Sequence, residues 1–230
     1  MKKRVFYTEI AYFAGLISMA MGAAMMTKAD FGLSMVIAPA YIIHLKVSQY
    51  LPFFTFGMAE YCFQGLLIVL LSAVLKKFRP IYLTSFVTAV LYGLVLDLFI
   101  RLFSPAPDFI WVRLIFYLAG LLLTALGVSM FFHTYLPPES YELVVKEISA
   151  KKRVDINRLK IVYDLSSLAL AVILSFSFFG LWQFKGVNIG TLFCAAVNGI
   201  IIGALSSFFE KRFEFRDRFA FRKYFDPAAR

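Results

Sequence analysis

The sequence predicts an all-α, polytopic membrane protein: six transmembrane helices in two inverted three-helix repeats, each repeat carrying a short re-entrant or amphipathic helical insert. Three observations carry that prediction. Of the 230 residues, 61% are hydrophobic and 27 are Phe, whereas a soluble domain is nearer half apolar. Six segments of about 20 residues hold almost no charge, long enough to cross a hydrocarbon core of ~30 Å. Stretches of the first half also recur in the second at a nearly constant offset. In lipid such segments must be helices, which satisfy their own backbone hydrogen bonds.

The spans read from the hydropathy pattern are Val5–Thr27, Phe53–Leu75, Ile81–Phe103, Ile110–Phe132, Ile161–Phe179 and Ile189–Phe209. The first follows Met1-Lys2-Lys3-Arg4 and imitates a signal peptide. Its apolar run exceeds the ~7–15 residues of a signal core, and a relative of it appears later in the chain, so it is expected to be retained. Between the first two spans lies "LSMVIAPAYIIHL" (Leu33–Leu45), too short as a helix to cross at ~1.5 Å per residue. Between the fourth and fifth lies "LPPESYELVVKEISAKKRVDINRLK". There Tyr141, Val144, Val145 and Ile148 recur at i, i+3, i+4, i+7, one face of a helix. Glu139, Glu142, Lys146 and Glu147 on the other faces forbid a lipid-exposed span. Pro137 and Pro138 suit the first turn of that helix.

Charge sets the orientation. With the N-terminus inside, only Lys28, Lys46, Arg101, Arg113 and Lys185 of the 24 Lys and Arg fall outside. That obeys the positive-inside rule and accounts for the net charge of +10 without nucleic acid. An eight-span arrangement gives the same count, and the charges within 139–147 are what argue against it. The tail 211–230, "KRFEFRDRFAFRKYFDPAAR", mixes Phe with Arg and Lys and reads as a cytoplasmic anchor on anionic membrane lipid.

The repeat has three parts. "YFAGLISMAMG" (Tyr12–Gly22) matches "YLAGLLLTALG" (Tyr117–Gly127) at six of eleven positions, offset 105. Glu60 in "FGMAEYC" aligns with Asp164 in "KIVYDLS" at offset 104, and Ala89, Gly93 and Asp97 align with Ala195, Gly199 and Gly203 at offset 106. The halves are then about 1–105 and 106–210, within one transmembrane domain. Three spans per half send the second half in from the opposite side, the plan of many secondary transporters, with a midplane site at the repeat interface. The two inserts read as gates, one per side; the competing reading is two loops with surface helices.

"TKADFGLS" (Thr27–Ser34), "PAY" (Pro39–Tyr41), "LPPE" (Leu136–Glu139), "VYDLS" (Val162–Ser166) and Gly190-Thr191 before Asn198-Gly199 together resemble the YczE branch of the YitT/YczE-type bacterial membrane proteins, from Tyr7 to about Phe209. The chain has Ser34-Met35 where that family has Ser-Pro, and Glu60 near a position where the family has an amide. The resemblance implies a multi-pass protein of the bacterial cytoplasmic membrane and a transporter, with no substrate to carry over.

Glu60, Asp97 and Asp164 lie inside apolar spans, where a carboxylate costs at least ~2.5 kcal/mol, so each needs a cavity or a partner. Asp97 has Arg101 at i+4 for a helix ion pair, and Asp164 has Lys160. Gln64 and Asn198 suit a substrate or interhelical hydrogen bonds. Candidate substrate- or proton-binding residues are therefore Glu60, Asp164, Gln64, Asn198 and Asp97. Candidate gate residues are Asp30, Gly32, Ser34, Pro39, Tyr41, Pro137, Pro138 and Glu139. The helix starts at Gly32-Leu33-Ser34 and Pro137-Pro138-Glu139 would favour an anionic group on the substrate. His44 and His133 lie near the inserts and read as packed histidines. Cys62 and Cys194 are isolated, and no metal set or cofactor motif is present. Gly15, Gly22, Gly120, Gly127, Ala195, Gly199 and Gly203 permit close helix packing within the chain or in a homodimer. No nucleophile motif, metalloprotease motif or phosphate loop marks an enzyme. The reading is a small-molecule secondary transporter with proton coupling through buried carboxylates; the alternative is a non-transporting membrane protein that assists or regulates a partner.

Overall fold

In a computed structural model, which describes residues 3–219, the chain is an all-α polytopic membrane protein. Its elements run β1 (Arg4–Tyr7), α1 (Thr8–Ala29), α2 (Ala38–Val47), α3 (Phe56–Leu75), α4 (Ile81–Leu102), α5 (Ile110–Phe131), α6 (Ser140–Lys152), α7 (Ile156–Phe179), α8 (Ile189–Arg212) and β2 (Phe213–Arg216). Six of these helices, α1, α3, α4, α5, α7 and α8, are long and apolar enough to cross a membrane. They match the six hydropathy spans to within a few residues. Leu66, Val69, Val74, Leu94, Leu98, Ile173 and Ile200 stand out from them, which suits a lipid solvent.

The helix ends follow local chemistry. Thr55 accepts from Met58 N at 3.2 Å to start α3, and Asp155 accepts from Arg158 N at 2.9 Å to start α7. Both are side-chain N-caps. Asp30, Lys76 and Arg153 close α1, α3 and α6 in the left-handed conformation, a common helix stop.

Two expectations need correction. Val5–Tyr7 is not the start of the first span but part of a strand, paired in parallel with Phe213–Arg216. The pairing brings the entry of α1 and the exit of α8 to one side, as an even number of spans requires. This strand also occupies part of the tail read as a lipid anchor; residues 220–230 of that tail lie outside the described residues. Secondly, Pro137 and Pro138 precede α6 rather than forming its first turn, and Glu139 is the N-cap. Each proline pushes the residue before it toward extended backbone, so the helix starts only once both are passed.

The core is built on the crossing of α1 and α5. A Cβ on Gly22 would lie 2.5 Å from the Gly120 carbonyl, and one on Gly127 would lie 2.5 Å from the Gly15 carbonyl. The backbones touch where only glycine leaves room. Gly15 meets Gly127 and Gly22 meets Gly120, so the helices run antiparallel. Each short helix then bridges the halves: α2 packs on α7 as well as on its neighbour α3, and α6 packs on α3 and α4 as well as on its neighbour α7. Thus α6 is not a surface helix. Of its predicted apolar face, Tyr141, Val144 and Val145 are buried and Ile148 is half-buried, and Leu143 is buried beside them.

Candidate substrate site

The N-terminus of α6 meets the middle of α3 in a wholly buried polar cluster. Glu60 and Gln64 lie one turn apart on α3, and both are 0% exposed; Glu139 at the α6 N-cap is 2% exposed. Gln64 Oε1 accepts the Ser140 backbone N–H at 3.0 Å, an unpaired donor of the first helical turn. That fixes the amide, so Gln64 Nε2 faces the acids. It donates to Glu139 Oε2 at 3.2 Å and, more weakly, to Glu60 Oε2 at 3.4 Å. The Tyr141 hydroxyl donates to Glu60 Oε2 at 2.8 Å. The second oxygens, Glu60 Oε1 and Glu139 Oε1, are buried without a partner. Among the described residues no Lys or Arg forms an ion pair with either acid. Burial pushes the Glu139 carboxyl well above the usual carboxylate range, with the neighbouring acids adding to the effect.

Glu139 also lines a cavity of about 580 Å³, walled by apolar side chains including Met19, Val128, Phe131, Leu136 and Leu143. Of the other charges at its wall, Lys146 is exposed on α6 and the rest are paired. Arg79 pairs with Glu147 at 2.8 Å, with the Tyr82 hydroxyl donating to the same carboxylate at 3.0 Å. Lys160 pairs with Glu142 at 3.7 Å and with Asp164 at 3.3 Å. The α6 N-terminus is a poor place for an anion, since its first N–H is spent on Gln64 and two carboxyls stand beside it.

The first insert is locked differently. The Gly190 backbone N–H donates to Phe31 O at 2.9 Å, and Leu33 N donates to Gly186 O at 3.4 Å. Gly32 sits at φ +114°, where a Cβ would lie 2.5 Å from Thr191 Oγ1, so only glycine fits. Ser34 O accepts from Ala38 N at 3.1 Å to begin α2, which carries Pro39 in its first turn. Tyr41 packs edge-on against Phe56 at 5.0 Å. With Asp30, Lys185 and Asn188 it borders a second cavity of about 260 Å³. Asp30 lies 3.5 Å from Arg113, which also donates to Ala29 O at 2.8 Å.

Of the candidate residues, Glu60, Gln64 and Glu139 come together, and Pro137 joins them by accepting from Thr88 at 3.1 Å. Thr88 in turn lies 2.7 Å from the Tyr12 hydroxyl. Asp164 is not in the cluster but pairs with Lys160, i to i+4, and is 21% exposed. Asp97 does not pair with Arg101. It accepts from Thr55 Oγ1 at 2.5 Å and from the Gly57 backbone N–H at 2.8 Å, capping the neighbouring helix α3. A helix N-terminus with free N–H groups satisfies this half-buried carboxylate better than the exposed Arg101 does. Asn198 Oδ1 on α8 is buried without a partner, away from these bonds. His44 binds Phe54 O at 2.9 Å and His133 binds Ser129 O at 2.8 Å, as packed histidines do. Tyr141 and Tyr12 were missed: in sequence each is one more aromatic on an apolar face. No curated protein and no solved structure matches the chain. A family model does, over residues 6–207, so the chain belongs to a family of unknown function, DUF6198.

Proposed function

We propose that this chain is a secondary transporter of a small molecule, working from a site between the two halves, with the buried carboxylates as the proton-carrying groups. The observation that carries the reading is the unpaired acid pair Glu60–Glu139 at the end of a large, mostly apolar cavity. Burying such groups is costly, and in membrane proteins they commonly mark substrate or proton pathways. The crossing of α1 and α5 at glycines matched in the internal repeat, the exchange of inserts between halves, and cavities beside both inserts support two gates around one site. The charge count favours termini in the cytoplasm, and the YczE-like motifs favour a bacterial cytoplasmic membrane. The alternative, a protein that assists a partner, draws on α8, where Ile189, Leu192 and Ile200 are exposed and Gly199 and Gly203 face open space.

The test is a stabilisation screen on the purified chain, since a ligand that binds the folded form alone raises its unfolding temperature. A hit should then exchange across proteoliposomes and stop exchanging in Glu60→Gln. A stabilising ligand that the intact chain does not move, in either direction or with any proton gradient, would overturn the transport reading.

A further inference from the structure

Charge and shape at the cavity narrow the substrate class, on the premise that the cavity is the transport site. Glu139 reaches the cavity wall with one oxygen bonded to Gln64 and the other free. Around it stand Glu60 across Gln64, Tyr12 from α1, Tyr92 from α4, Tyr141 and Glu142 from α6, and Lys160 from α7. The only cation of that set, Lys160, is already held between Glu142 and Asp164. Of the other basic residues that line the cavity, Arg79 is paired with Glu147 and Lys146 is exposed on α6, so no cation is bonded to Glu139 among the described residues, and the apolar wall would repay a ligand with a large apolar surface. An apolar neutral ligand would leave Glu139 Oε1 unpaired, and an anion would be repelled by whatever negative charge the acid pair carries.

We propose that the cavity under α6 binds a lipophilic organic cation through Glu139, and that its entry displaces one proton from the Glu60–Glu139 pair. Two buried acids linked through a single amide and lacking a counter-cation must hold at least one proton between them. When a cation arrives beside Glu139 that proton leaves to cavity water, and the charge of the site is unchanged: one positive charge enters and one departs. Gln64 donates to both acids and so keeps them in one unit in either state. Glu139 is the ligand-contacting acid; Glu60, which does not line the cavity, is the positioning acid behind it.

The test uses two probes of the same shape and opposite charge, tetraphenylphosphonium and tetraphenylborate, on the full chain in nanodiscs, with empty nanodiscs subtracted. Tetraphenylphosphonium should bind at least about tenfold more tightly than tetraphenylborate, and Glu139→Gln should weaken it by about tenfold or more, as loss of one partner of a buried charge pair does. Binding should release about one proton per cation in weakly buffered solution, read with a pH indicator. Glu60→Gln should still bind the cation but change the proton count. Equal binding of both probes, no cation binding, or unchanged binding in Glu139→Gln would overturn the proposal. Should Glu139→Gln fail to fold, the probe pair on the unaltered chain still decides. Cation binding with proton release but no flux in proteoliposomes would leave this site standing and overturn transport. Flux of a neutral or anionic solute, indifferent to Glu139→Gln, would do the reverse.

Discussion

The two inserts occupy the same place in the two halves yet are held by different chemistry. The first is locked by backbone. Gly32 is pressed against Thr191, and Phe31 and Leu33 trade main-chain hydrogen bonds with Gly190 and Gly186. The second is held by ionisable side chains, with Glu139 and Tyr141 reaching Gln64 and Glu60 on α3. A backbone lock responds to shape, whereas a carboxyl cluster responds to protons and cations. The larger cavity lies beside the second insert and the smaller beside the first. On the transport proposal, the first insert would serve as the fixed wall and the second as the responsive element.

The sharpest way to break the comparison is to show that the inserts do not face opposite sides. In a background without Cys62 and Cys194, Lys185→Cys should react with an impermeant thiol reagent on intact cells, and Lys152→Cys only after permeabilisation. Equal labelling would remove the two-sided arrangement. Next in size is Gly32→Val, which puts a β-branched residue at φ +114° and a Cβ against Thr191. It should cost about 3 kcal/mol or more, seen as a lower unfolding temperature and loss of monodisperse protein.

A moderate effect is expected at the second insert. Tyr141→Phe removes the hydroxyl bond to Glu60 and should cost about 1–3 kcal/mol, the range for leaving a buried acceptor bare, read by thermal unfolding. The pH profile separates the inserts as well. A folded-state carboxyl raised by burial, as at Glu139, contributes stability that is complete below an unfolded value of about 4.3. That stability is lost as pH rises through the folded value. The protein should therefore gain stability on acidification from neutral pH, and Glu139→Gln should flatten that gain. A profile unchanged by the substitution would mean that Glu139 is not the titrating group. The smallest effect belongs to Asp164→Asn. Its i, i+4 pair with Lys160 is partly exposed, a class worth about 0.3–0.5 kcal/mol. Activity should survive it and fail in Glu60→Gln; equal loss in both variants would restore Asp164 as the partner of Glu60.

Much of the fold was legible in local sequence. The six spans follow from hydropathy summed along one segment, and the inward face of α6 from the spacing of Tyr141, Val144 and Val145. The glycines that meet at the α1–α5 crossing stood out as matched positions of the repeat. Even Glu60 and Gln64 were marked, because a polar residue in an apolar span must find a partner.

What that partner is, only the tertiary structure decided. The alignment of halves paired Glu60 with Asp164, but the acid beside Glu60 is Glu139, and the residues that bond it and Gln64 are 75 to 81 positions away. Asp97 pointed to Arg101 in its own helix and found the N-terminus of α3 instead. The β1–β2 pairing joins the two ends of the described chain. Hydropathy and periodicity act within one element, so the sequence alone determines which elements form and which faces are buried. A hydrogen bond depends on which elements meet, and that is settled by packing between residues far apart in the chain.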